Sequence, residues 1–191
     1  MITMPIAMGI FMKEDYAIVL DFLPRGYSGM RRPEPIAQAI GTTYFSLLEL
    51  VAKENVTLEQ GEEVYIGSGE RDKIKLIRRR IGKKDLTGVA LSNLEEVVEK
   101  LIKRNEKRFV EFFNTASTIT PRLHKLELLP GIGKKYIQLI IKNRPYESFE
   151  DIEKKVGISD IVKIIKKRVL QELEGEEKYN IFVAPFKRSF F

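Results

Sequence analysis

The sequence predicts an α+β protein in two parts, a small β-barrel followed by a helical domain. Three observations carry this. Residues 15–85 hold short runs of strand-forming residues cut by glycine and proline. At Leu91 the apolar spacing changes to that of a helix. Further on, Pro130-Gly131-Ile132-Gly133 interrupts an apolar helical stretch, and Lys134-Lys135 opens another. The expected layout is a barrel over 1–90, a long connecting helix over 91–116, a helical domain over 117–174 and a tail over 175–191.

The opening MITMPIAMGIFMKED is apolar but short, lacks a basic start, and ends at Lys13, Glu14 and Asp15. It reads as the lead-in to a strand rather than a signal peptide. No apolar stretch is long enough to span a bilayer, so a cytoplasmic protein with no membrane partner is expected. DYAIVLDFL is dense in strand formers and stops at Pro24-Arg25-Gly26. TTYFSLLELV fits a strand, and also a helix. VTLEQGEEVYIG reads as a turn at Gly61, then a strand with Val64 and Ile66 on one face. DKIKLIRRRI is another strand, closed by Gly82. Short strands in close succession, with no helix between them, predict a small barrel or a strongly bent sheet.

The next run predicts one helix from about 93 to 114. Ser92 and Glu95 have the spacing of a capping box. Leu94, Val97, Val98, Leu101 and Ile102 recur at helical spacing, and Phe109, Phe112 and Phe113 follow. Glu96 with Lys100 and Glu99 with Lys103 are four apart, as in a solvated face with internal ion pairs. Thr120-Pro121 predicts the cap and first residue of a further helix, ending at Leu128 or Leu129.

Composition excludes several chemistries. There is no cysteine among the 191 residues, hence no disulfide and no thiolate metal site. The single histidine, His124, rules out histidine-rich metal sites and most triads; beside Leu123 and Leu126 it reads as structural. No catalytic constellation stands out, so a non-enzymatic protein without cofactor or metal is expected. The net charge of +6 permits a nucleic-acid partner. That charge is uneven. Residues 71–84 carry eight bases against Asp72, including Arg78, Arg79, Arg80, Lys83 and Lys84. Residues 117–173 carry twelve bases against seven acids.

The Pro-Gly-x-Gly stretch reads as a tight reversal between helices. Gly131 and Gly133 are expected to supply backbone angles that other residues adopt at a cost. Ile132 is expected to point back and pin the pair. The new helix would begin near Lys134, and the free N–H groups of Gly133, Lys134 and Lys135 would form an anion site. A lysine there adds full charge, and a backbone phosphate is the natural ligand. A nucleotide-binding P-loop is ruled out, because Leu128 stands at the first glycine position and Lys135 at the Ser/Thr position. A plain helical hairpin would not need two glycines followed by two lysines.

At these residues a family resemblance emerges. Leu126, Leu129, Pro130, Gly131, Ile132, Gly133, Ile140, Arg144, Phe149 and Ile152 resemble a helix-hairpin-helix module. That resemblance implies a hairpin whose amides grip a nucleic-acid backbone without reading bases. Ile137 departs from the pattern, which often has a small residue there. Residues 148–173 resemble a second, degenerate copy, with Val156-Gly157-Ile158-Ser159 as its hairpin and Ser159 as a possible cap. In its last helix Lys163 and Lys167 share one face. The whole arrangement resembles an uncharacterised archaeal family joining an OB-like barrel to helix-hairpin-helix elements. The resemblance implies an OB-type fold for the first part and RNA as a binding partner. Tyr44 and Phe45, beside Arg78, Arg79 and Arg80, are candidates to stack on bases in an OB groove, although core positions suit them better.

The tail has an apolar segment at Ile181, Phe182, Val183 and Phe186. It is expected to pack back on the protein and add a strand to the barrel; with Phe190 and Phe191 it is alternatively a peptide that docks a protein partner. The function expected is nucleic-acid binding through phosphates, with RNA preferred slightly over DNA and little sequence specificity. Three alternatives stay open. One is a DNA-binding repair or recombination accessory protein. The second is a base-excision glycosylase with lyase activity, in which Lys135 holds the place of the Schiff-base lysine. Its expected aspartate is missing, since Glu153 and Lys154 fill that window and Asp151 is out of step. The third is a protein-interaction adaptor.

Overall fold

A computed structural model describes residues 12–186. The expectations for 1–11 and for Phe190 and Phe191 lie outside these residues. Five strands, β1 (Tyr16–Leu23), β2 (Ile36–Gly41), β3 (Leu47–Ala52), β4 (Glu63–Tyr65) and β5 (Ile74–Arg80), form one antiparallel sheet. Its order is β4-β1-β2-β3-β5, so β4 and β5 are the edges of a curled, open sheet. On its inner face Val19, Leu48, Leu50, Val64 and Ile74 make a core of their own. Ala17, Ala37, Ala39 and Ala52 also point inward, and small side chains suit the concave side of a tight bend. Register shifts at Val19/Asp21, Glu49/Leu50 and Val51/Ala52 add to that bend.

The outer face is also buried. Ile18, Leu20, Ile40 and Leu47 join the core of the helices. Burial on both faces explains why β1 reads as a near-continuous apolar run. The sequence pattern holds no sign of β2, whose IAQAIG has two alanines and a glutamine, all poor strand formers. In TTYFSLLELV the strand starts only at Leu47. The preceding residues turn around the Glu14 carboxylate, which accepts from the amides of Thr43 (2.9 Å), Tyr44 (2.8 Å) and Ser46 (3.2 Å).

The long helix differs from its sequence reading at both ends. It starts at Gly88, where the Thr87 hydroxyl accepts from the Ala90 amide and caps α1 (Gly88–Arg104). Ser92 lies inside, and its hydroxyl donates to the Val89 carbonyl (2.8 Å), so the expected capping box is not used. Asn105 then breaks the helix. Its amide group donates to Leu101 O (3.0 Å) and Thr42 O (3.3 Å), and α2 (Glu106–Thr115) begins anew. The ion pairs Glu96–Lys100 (2.5 Å) and Glu99–Lys103 (2.7 Å) form as their spacing predicts.

No helix starts at Thr120-Pro121. The β-branched run Thr118–Thr120 forms a short strand, β6, paired with β7 (Leu123–His124). A 3-10 turn, Lys125–Leu128, follows. Three helices complete the fold: α3 (Lys134–Lys142), α4 (Phe149–Val156) and α5 (Ile161–Glu174). Ile140, Ile152, Ile165 and Val169 share one core with Leu94, Val98 and Phe109 of α1 and α2. Glu99 of α1 takes Lys166 of α5 as well as Lys103, and the two ammonium groups hold its carboxyl down at about 2.

The tail packs back, as expected. The Phe182 ring meets Phe109 (5.2 Å between centroids) and Phe112 (4.9 Å). It forms no strand among the described residues; the Ala184 amide donates to Tyr44 O (3.0 Å) at the β2–β3 turn. Its anchor is Glu172 of α5. That buried carboxylate accepts from the amides of Ile181 (2.8 Å), Phe182 (3.0 Å) and Val183 (2.8 Å), and from Arg168 Nε (2.9 Å). Glu172→Ala leaves these donors buried without their acceptor. A loss of about 3–5 kcal/mol is expected in urea unfolding, as for a broken buried ion pair. A loss below about 1 kcal/mol would mean that the tail is held by apolar contact alone.

Candidate nucleic-acid interface

The turn between the 3-10 turn and α3 is closed by Ile132 N–H donating to Leu129 O (3.1 Å). Leu126, Leu129 and Ile132 are buried in the helical core, which pins the turn from below. Gly131 sits at φ +83°, where a side chain would be strained. Gly133 does not; at φ −92°, ψ 179° it is extended, and the expectation that both glycines supply special angles is corrected. No atom lies within 4 Å of where a Cβ at either glycine would stand. What glycine provides at 133 is bare backbone facing open space.

Gly133 is the N-cap of α3, and no side chain caps it. Among the described residues, the amides of Gly131, Gly133, Lys134, Lys135 and Tyr136 donate no hydrogen bond. By contrast Thr87, Ser148 and Asp160 cap α1, α4 and α5 with their own oxygens. Lys134 and Lys135 are exposed and form no ion pair among the described residues. The α3 terminus therefore presents several free donors and two cations to one open side, a combination suited to an anion. An open hollow of about 620 Å³ lies against the turn, lined also by Arg168, Gln171, Glu127 and Glu177. Arg168 is only 4% exposed and already neutralised by Glu172 and Glu177.

The second turn is built differently. Gly157 is left-handed at φ +74° and ends α4. Ser159 is exposed and caps nothing; Asp160 caps α5, accepting from Lys163 N–H (3.0 Å). Glu153 accepts from Ile161 N–H (2.9 Å). Two carboxylates thus occupy amides of the α5 terminus, those of Ile161 and Lys163, beside the turn where Gly157 and Ser159 were expected to grip a phosphate. Lys163 and Lys167 remain exposed and unpaired among the described residues, opposite the buried Ile161, Ile165 and Val169. Lys167 lies one turn from Gln171 at the hollow.

The basic run of the sheet divides. Arg78 and Arg79 stand on the exposed edge strand β5 and converge on Glu49. Arg80 turns under the tail, donating to Pro185 O (2.9 Å) and Ala184 O, and burial lowers its pKa. Lys83 pairs with Glu174, while Lys84 is exposed without an ion pair among the described residues. Phe45 is fully buried and Tyr44 half-buried. Arg25, Arg31 and Arg32 of the β1–β2 loop are exposed as well and form no ion pair among the described residues. Among the described residues no cluster of acids and histidine is placed to hold a metal, and no helix is long and apolar enough to cross a membrane.

These features define a mixed α+β protein, a curled antiparallel sheet followed by helices. The chain belongs to the DUF655 family, described as a protein of unknown function, which matches residues 13–184. It is similar to the uncharacterized protein MJ0038 of Methanocaldococcus jannaschii, 49% identical over 175 residues, covering 89% of this chain and 80% of that protein. It is also similar to the crystal structure of Af1531 from Archaeoglobus fulgidus, with a TM-score of 0.79 and 46% identity, covering 90% of this chain and 100% of that one.

His124 braces the entry to the open turn. Its Nδ1 accepts from Leu126 N–H (3.1 Å), and Glu127 accepts from His124 N–H (3.0 Å). Burial, then Arg144, lowers its pKa from the ordinary 6.5. The unfolded chain therefore takes the proton first. The bracing contribution is complete above pH 6.5 and is lost as pH falls through the lowered value. Unfolding midpoints between about pH 7 and pH 5 are expected to fall more steeply for the native chain than for His124→Ala. Parallel curves would remove this role.

Proposed function

We propose that this protein binds nucleic acid through backbone phosphates at the turn Gly131–Lys135, without catalysing a reaction. The observation that carries this reading is the uncapped α3 terminus, with its unpaired amides and with Lys134 and Lys135 free beside it. In this reading the turn is a helix-hairpin-helix grip, the curled sheet is OB-like, and Gly157 and Ser159 serve as a structural second hairpin. Lys163 and Lys167 extend the positive face. Contacts of this kind position a backbone and carry little sequence information. RNA is the slightly preferred partner and the cytoplasm the expected place of action, both through the family resemblance.

Gly133 offers a clean test, since its extended backbone and open surroundings accept a side chain without strain. Gly133→Val is expected to weaken binding of RNA and DNA at least tenfold in fluorescence anisotropy, with the fold kept and stability lowered only by the roughly 1 kcal/mol that a poorer N-cap costs. Lys134→Glu with Lys135→Glu should also flatten the dependence of log affinity on log salt, by roughly 0.7–0.9 for each phosphate that the lysines no longer neutralise. Native affinity in both variants, with the fold intact, would refute the reading.

A further inference from the structure

Arg168 of α5 lines the same hollow as the turn at Gly131–Gly133. The sequence pattern does not single it out, since a base beside Lys166 and Lys167 reads as one more surface charge. A guanidinium that is 4% exposed is costly to bury unless its donors are met. Here each nitrogen has an acceptor. Nε donates to Glu172 (2.9 Å), Nη2 to Tyr179 O (2.5 Å) and Nη1 to Glu177 (3.1 Å).

The two carboxylates are held unequally. The Glu172 side chain is fully buried and also accepts from three tail amides, so it is fixed in place. It alone balances the charge of Arg168. Glu177 adds a negative charge in excess, and its side chain is 34% exposed. It stands in an irregular, exposed stretch beyond Gly175, where α5 ends. Arg168 is its one partner among the described residues. A pair with one exposed partner is weakly held. Glu177 lines the hollow too, so a carboxylate borders a terminus otherwise suited to an anion. A phosphate makes the same charge-assisted bonds to a guanidinium as a carboxylate does. Positive charge also continues out of the hollow, because Lys167 and Lys163 succeed Gln171 along α5 at one-turn steps.

We propose that Arg168 is a second phosphate contact of the turn's site, and that Glu177 shields it as an internal stand-in for phosphate until nucleic acid displaces it. This rests on the nucleic-acid reading of the turn and adds a control on that same site. One phosphate takes the free amides of α3, and another on the same strand takes Nη1 of Arg168. Glu177 leaves with its exposed stretch, while Glu172 stays as the buried counter-charge. The strength of the Arg168–Glu177 pair thereby sets the affinity of the site.

The full chain is titrated with labelled duplex RNA, alongside Glu177→Gln and Glu176→Gln. Both variants remove one negative charge, one residue apart, and Glu176 is exposed without a partner among the described residues. Glu177→Gln keeps a side-chain oxygen for Arg168 and leaves Glu172 untouched, so the melting curve should show an intact fold. It should bind about fivefold tighter than the native chain or better, whereas Glu176→Gln should stay within about twofold. Adding Arg168→Lys to Glu177→Gln should erase the gain, because a lysine lacks the fork that reaches both carboxylate and phosphate. If that pair does not fold, the comparison of the two glutamine variants still decides. Equal affinities for those two, with binding still lost on Lys134→Glu with Lys135→Glu, overturn the shield and leave the turn's grip standing. A native chain that fails to bind while Glu177→Gln binds supports both. No binding by either overturns both.

Discussion

The sheet is buried on both faces, and the rest of the structure follows from that constraint. Its concave face closes on its own side chains, which is why alanines crowd there. Its convex face cannot stay in water with Ile18, Leu20, Ile40 and Leu47 on it, so α1 and the helices behind it must cover it. The convex face and the helices therefore share one apolar core. Where the convex face is polar, at Gln38 and Glu49, the structure supplies hydrogen bonds from a loop and from the start of α1 instead of apolar cover.

The two turns of the helical part show how a few side chains decide whether a helix end is open or closed. Both begin with a left-handed glycine, Gly131 and Gly157. After Gly131 the chain places an isoleucine, a glycine and two lysines, none with an oxygen that can reach back. After Gly157 it reaches Asp160, and Glu153 stands across from it. Carboxylates and phosphates compete for the same amides. A helix end that already holds two carboxylates has little left for a ligand.

Much of this was legible in the sequence. Strand-forming runs marked β1, β4 and β5, helical spacing marked α1 and α2 as one helix, Pro-Gly-x-Gly placed the start of α3, and the family resemblance outlined α4 and α5. The failures have physical causes. β2 is held by its neighbours rather than by its own preference. Ser92 has the right spacing for a cap, but Thr87 lies one turn earlier and already has the capping geometry. Thr120-Pro121 looks like a helix start, yet the β-branched residues before it pair as a strand. Asn105 carries no sequence mark of a break; the break comes from its bond to Thr42 O, far away in the chain. Similarly, Arg80 belongs to the basic run by position and to the tail by contact.

The tail clamp also bears on the order of synthesis. Phe182 fills a space between α2 aromatics, and Glu172 reaches its amide partners only once residues 181–183 exist. Arg108 donates to Phe182 O and Thr43 O, joining a residue from the first quarter of the chain to one near its last described stretch. Contacts of such wide sequence separation form late. A chain emerging from the ribosome can curl its sheet and begin its helices, but the shared core stays unsealed until residue 184 has been made. Until then Phe109 and Phe112 lack their cover, and the nascent chain exposes that aromatic surface to aggregation.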